Sequence, residues 1–138
     1  LWICRGFDKE RLGKEINCGG GVYRLKMNEI VYEKLKMVAK VGTVITYSEL
    51  NSSCNLNLNF NNIKDRNEIA HILGAIARYE IKHKRPMLGA VVVLKGSIPL
   101  SPAYGFFSYA DELGVRNKGE TDLQLYYRQL KKCWETWK

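Results

Sequence analysis

The chain has no run approaching the roughly 18 consecutive apolar residues that a membrane-spanning helix needs. Its longest apolar stretch, Ala90-Val91-Val92-Val93-Leu94, suits one buried strand. Its four cysteines, Cys4, Cys18, Cys54 and Cys133, include no C-x-x-C pair, and the two histidines, His71 and His83, stand well apart from them. Zinc-ribbon and zinc-finger patterns are therefore excluded, and neither a metal nor another cofactor is expected. Four cysteines spread this thinly do not make the disulfide framework of a short secreted domain either. They read as reduced, structural thiols of an intracellular, cytoplasmic protein. Gly19-Gly20-Gly21 lacks both a following Lys-Ser/Thr and a preceding apolar strand, so no phosphate-binding loop is present.

Acidic excess is also missing. The 22 Lys plus Arg outnumber 14 Asp plus Glu, giving a formal charge of +8. A surplus of that size concentrates polyanions near the surface and speeds encounter with them. With 138 residues and 46% hydrophobic content, one domain with one core is expected.

Residues 1–26 differ from the rest: the chain opens on Leu1, and its first methionine is Met27. They read as an N-terminal extension, an alternative start or an expression remnant ahead of a single domain over residues 27–138. The segment contributes +3 and leaves +5 on the body, and it lacks the continuous apolar middle of a signal peptide.

In the body, Ile30, Val31, Leu35 and Val38 recur at helical spacing until Gly42. The run Gly42-Thr43-Val44-Ile45-Thr46-Tyr47-Ser48-Glu49-Leu50 is short and β-branched. It leads into Ser48, a good N-cap, as the second helix of a helix-turn-helix unit often begins. Asn51, Asn55, Asn57, Asn59, Asn61 and Asn62 predict an irregular connector, because asparagine competes for backbone hydrogen bonds. The spacing of Ile69, Ile72, Leu73, Ile76 and Tyr79 predicts a helix from Asp65 to about Lys84, closed by Pro86. Ala90–Leu94 is expected to be a strand turning at Lys95-Gly96, Phe106–Leu113 a short helix, and Asp122–Trp137 a terminal one.

This order of elements resembles the C-terminal domain of O6-alkylguanine-DNA alkyltransferases and of the non-catalytic alkyltransferase-like proteins. The family's T-T-Y-G turn is similar to Ile45-Thr46-Tyr47-Ser48, and its A-R-A-V-G helix motif to Ala70-His71-Ile72-Leu73-Gly74. Where the family has P-C-H-R-V, this chain has Pro86-Met87-Leu88-Gly89-Ala90, and L-L-x-x-E-G resembles Tyr109-Ala110-Asp111-Glu112-Leu113-Gly114. The likeness covers roughly residues 28–115. It implies an α/β, winged-helix-like domain with a short sheet and a C-terminal helix. It also implies an alkyl-accepting cysteine at the position of Met87, and a thioether cannot supply a thiolate. The family's histidine and arginine are Leu88 and Gly89 here, and the arginine that enters the DNA stack is His71. Alkyl transfer is therefore expected to be absent.

The expected function is non-catalytic binding of DNA, most simply a duplex. Arg66, Arg78, Lys82, Lys84 and Arg85 would replace counterions along the phosphates. Arg66 and Arg78, twelve positions apart, are about 120° out of phase and cannot share one narrow face. The resemblance implies that Tyr47, beside Ser48, lies against a phosphate and helps turn a nucleotide outward. Its alternative is a packed tyrosine with its hydroxyl bonded. Met87, Tyr104 and Phe106 are the expected pocket, although an irregular segment such as Pro99 to Phe107 more often simply covers the core. A second reading is a protein-interaction module whose aromatic C-terminal helix (Tyr126, Tyr127, Trp134, Trp137) docks a partner. A Cys54–His71 nucleophile pair lacks an orienting third group. Glu80-Ile81-Lys82 imitates half of a nuclease site but falls late in a helix.

Overall fold

The computed structural model describes residues 27–138, and the extension 1–26 lies outside the described residues. The described part is mostly helical: α1 (Glu29–Val41), β1 (Ile45–Thr46), α2 (Tyr47–Ser53), α3 (Ile63–Lys82), β2 (Val92–Val93), α4 (Tyr104–Glu112) and α5 (Asp122–Trp137). The sheet is minimal, with β1 and β2 parallel and Ile45 opposite Val92, Thr46 opposite Val93.

Local chemistry sets the boundaries. The Asn28 side chain accepts from the Val31 N–H at 3.1 Å and starts α1. Gly42, at φ +80°, ends it, its own N–H reaching Ala39 and the next N–H, of Thr43, reaching Val38. Val31, Leu35 and Val38 face the core as the spacing predicts, but Ile30 is exposed. α2 starts earlier than expected. Its cap is Thr46, not Ser48: the Thr46 hydroxyl accepts from the Glu49 N–H, and the Glu49 carboxylate accepts from the Thr46 N–H. α5 opens on the same device, with Thr121 and Gln124.

The expected strand over Ala90–Leu94 is only partly one. Leu88–Val91 form a buried 3₁₀ turn, and just Val92 and Val93 find strand partners, because β1 offers two residues to pair with. Asn51 belongs to α2, but the asparagine connector beyond it is irregular as expected, with Asn55 and Asn57 at positive φ. Leu56, Leu58 and Phe60 form no strand and instead pack partly buried against the core.

The 3₁₀ turn is the centre of the molecule, packed on by α1, α3 and α5. α5 holds it by polar contacts as well as apolar ones. Tyr126 donates to the Ala90 carbonyl at 2.9 Å, and Gln129 accepts the Met87 N–H at 2.9 Å. The Cys133 thiol donates to the Met87 carbonyl at 3.2 Å. Trp134 donates to the Thr43 carbonyl, and Trp137 packs edge-on to Tyr32. Most of the helix's aromatic side chains are thus turned inward, leaving Tyr127 and Leu123 exposed. No helix among the described residues is long and apolar enough to cross a membrane.

Candidate nucleic-acid interface

α3 presents two different faces. Arg66, Ile69, Ala70, Leu73 and Ala77 recur at helical spacing and line one side of a cavity of about 300 Å³. Met87 and Gly89 contribute from the 3₁₀ region, and Thr46, Tyr47 and Ser48 from the start of α2. Phe60, Leu94, Lys95 and residues of α4, among them Phe106 and Tyr109, complete the lining. Most of it is apolar. Arg66, Ser48 and Lys95 are its exposed polar members.

The opposite face of α3 points to solvent. Lys64, His71 and Arg78 are spaced by seven, so successive members stay within about 20° of one line, and Lys82 continues it one turn on. Glu68 and Ala75 complete the stripe. Arg78 is not unengaged: its guanidinium is 3.3 Å from the Glu112 carboxylate and lies 4.9 Å from the centre of the Tyr109 ring. That ion pair is exposed and holds the arginine only weakly. Tyr109 reaches this position because residue 74 is glycine; a Cβ there would collide with its ring.

Tyr47 is half-buried in the lining, and its hydroxyl accepts the Ala103 N–H at 2.9 Å, just ahead of α4. Burial pushes that hydroxyl above the ordinary tyrosine range, so it keeps its own proton at neutral pH and can still donate. Met87 is buried at the cavity's floor and Phe106 in its wall. Tyr104 is the first residue of α4, and its side chain lies outside the described set. Lys84 is exposed beyond the end of α3, at φ +61°.

Arg85 stands elsewhere. Its guanidinium grips Glu80 through Nε at 3.1 Å and through a terminal nitrogen at 2.9 Å, and Glu80 also accepts from the Tyr32 hydroxyl at 2.8 Å. Burial, and then the Glu80 carboxylate, push the Tyr32 hydroxyl far above the usual tyrosine range. This arrangement separates Glu80, fully buried, from exposed Lys82, so the two do not form a joint site. Nor does the fold give Cys54 and His71 a common environment, since Cys54 is buried and His71 exposed. Burial raises the Cys54 and Cys133 thiols, opposite to what a nucleophile needs. Among the described residues no group of three or more His, Cys, Asp or Glu is placed to hold a metal.

Of the expected pocket residues Met87 and Phe106 line the cavity, joined by Tyr47, Ser48 and Arg66, which the sequence suggests as nucleic-acid contacts, and by Phe60, Leu94, Lys95 and Tyr109, which no sequence signal assigns to it. In the sequence Lys95 reads as a turn residue and Phe60 as part of the connector. Comparison of the chain with protein-family models, with curated proteins and with solved structures finds no match.

Proposed function

We propose that the protein binds duplex DNA without catalysing a reaction, and that the cavity beside α3 receives one base turned out of the helix. In this reading α2 and α3 are a helix-turn-helix pair and residues 94–101 the wing of a winged-helix domain of the alkyltransferase-like kind. The observation that carries the proposal is the cavity itself: about 300 Å³, apolar, floored by Met87, with exposed Arg66 and Lys95 in its lining. That volume is at the lower end of the range typical of small-ligand sites, roughly 300–1,000 Å³, and suits a single planar ring system. Extrusion is how proteins reach a base inside a duplex, and the protein reads it by stacking and by contacts to its edge. Phe60, Phe106 and Tyr109 supply aromatic surface, and the Tyr47 hydroxyl supplies a donor.

Exposed Arg66 and Lys95, beside the cavity, suit the phosphates of that duplex, whereas Lys64, His71, Arg78 and Lys82 face away from it. Met87 ends the chemistry at binding, because a thioether has no proton to lose and no thiolate to offer. The protein-interaction reading is left with a smaller surface, since Tyr126 is buried and Trp134 and Trp137 are half-buried while Tyr127 stays exposed.

Fluorescence anisotropy of a dye-labelled duplex tests the reading. Affinity is expected to fall steeply between 50 and 200 mM salt, and the variant Arg66→Ala/Lys95→Ala to flatten the dependence by about one phosphate contact per cation removed. Absence of binding at 50 mM salt, or binding indifferent to salt, would refute it.

A further inference from the structure

We infer that the turn over residues 94–101 is a wedge, and that Ile98 enters the base stack and occupies the space an extruded base leaves. The inference rests on the DNA-binding reading above and assigns a residue to its least obvious step. Ile98 is 96% exposed. A single exposed isoleucine is ordinary, but this one stands with exposed Leu94 and Leu100 on a turn whose backbone is tied. The Leu94 N–H donates to the Ser101 carbonyl at 2.8 Å, closing the base of the turn. The Ser97 hydroxyl donates to the Leu94 carbonyl at 2.9 Å and accepts the Ser101 N–H at 3.0 Å, bracing the interior. The side chain therefore projects from a tied loop, with exposed Leu94 and Leu100 on either side of it.

Position supplies the second argument. Leu94 and Lys95, at the foot of this turn, belong to the cavity lining. Ile98 is four residues beyond Leu94, so it lies at most about 14 Å from that lining, a distance of about four base-pair steps. A wedge that fills the vacated step has to stand beside the cavity, and this turn begins in the cavity lining. Chemistry supplies the third. Side chains that unstack a base step are apolar, isoleucine among them, because they give up no tightly held water on entering the stack. A neighbouring cation, here Lys95, meets the phosphate that the displaced nucleotide brings with it. An aliphatic tip with a lysine at its foot combines both requirements on one short loop.

The test uses the full chain, wild type and Ile98→Ser, with two labelled duplexes. One is fully paired and carries 2-aminopurine as the reporter base; the other has an abasic nucleotide in its place, so the stack is already broken. Ile98→Ser is expected to melt at the wild-type temperature, to bind the paired duplex about tenfold more weakly, and to lose the rise in 2-aminopurine fluorescence. On the abasic duplex its loss should be under about threefold. Equal affinity of the two proteins for the paired duplex overturns the wedge while leaving DNA binding intact. Equal losses on both duplexes also overturn it, since they would mark a plain surface contact. Wild-type protein that binds neither duplex removes the DNA reading and the wedge together. Retention of that protein on anionic phospholipid vesicles, dependent on Ile98, would then make the tip a membrane contact.

Discussion

Glu80 is a carboxylate with no solvent exposure, and its neighbours explain why the fold tolerates it: a tyrosine hydroxyl and a two-pronged guanidinium satisfy both oxygens. Such a pair is costly to break from one side, because the remaining charge stays buried. Arg85→Ala is expected to destabilise the protein by about 2 kcal/mol in urea denaturation, less than for a wholly enclosed pair because the arginine side chain is 28% exposed. A change below about 0.5 kcal/mol would place the pair's contribution in the range of surface ion pairs instead. Any loss of DNA affinity in that variant would then be read against its stability first. The sequence held half of this arrangement. Glu80 sits four positions after Ile76, on the continuation of the apolar stripe of α3, which marks it as inward-facing. Its partners could not be read, since Tyr32 comes from another helix 48 residues away and Arg85 from beyond the helix end.

Three helices end by one geometry. After α1, α3 and α4 a residue of positive φ gives its N–H to one carbonyl of the last turn, and the next residue gives its N–H to the carbonyl before that one. Gly42 and Gly114 fill the position in two cases, and both were legible as stops because glycine adopts that backbone freely. The third is Lys84, and no residue type announced it; the sequence pointed to Pro86 instead. A side chain in the left-handed region carries a steric cost, so Lys84→Gly is expected to stabilise the protein by about 1 kcal/mol in a denaturation curve. A destabilised variant would mean that the lysine side chain makes up that cost by contacts of its own. Starts were legible in the same uneven way. Thr121-x-x-Gln124 starts α5 where the spacing puts it, whereas at α2 the capping box Thr46-x-x-Glu49 prevails over Ser48, two residues on, as the cap. The cavity was the least legible feature. Its wall needs the connector, the turn at Lys95 and α4 to meet α3, and such meetings follow from tertiary packing rather than from local pattern.

At the scale of the whole molecule, α5 is fastened to α4 by a polar clasp. Arg116 binds Asp111 at 2.7 Å and Asp122 at 2.6 Å, one acid from each helix, and Arg128 binds Glu120. The Arg128 hydrogen bond, and then the Asn117 N–H, hold the Glu120 carboxyl at about 2 instead of its ordinary 4.5. A depressed carboxylate contributes its stability fully above the unfolded value and loses it as pH falls toward the folded one. Melting temperature should therefore decline between pH 4.5 and about 2 more steeply in the wild type than in Glu120→Gln. Parallel profiles would show that the Glu120–Arg128 pair adds nothing to the fold.

Both backbone groups of Met87 are bonded to side chains of α5, the N–H to Gln129 and the carbonyl to Cys133. Met87 is thus tied by hydrogen bonds to α5, a helix that itself lines none of the cavity. A chain ending before Gln129 lacks both of the side chains that hold Met87, so the cavity would lose its footing although every residue that lines it was still present.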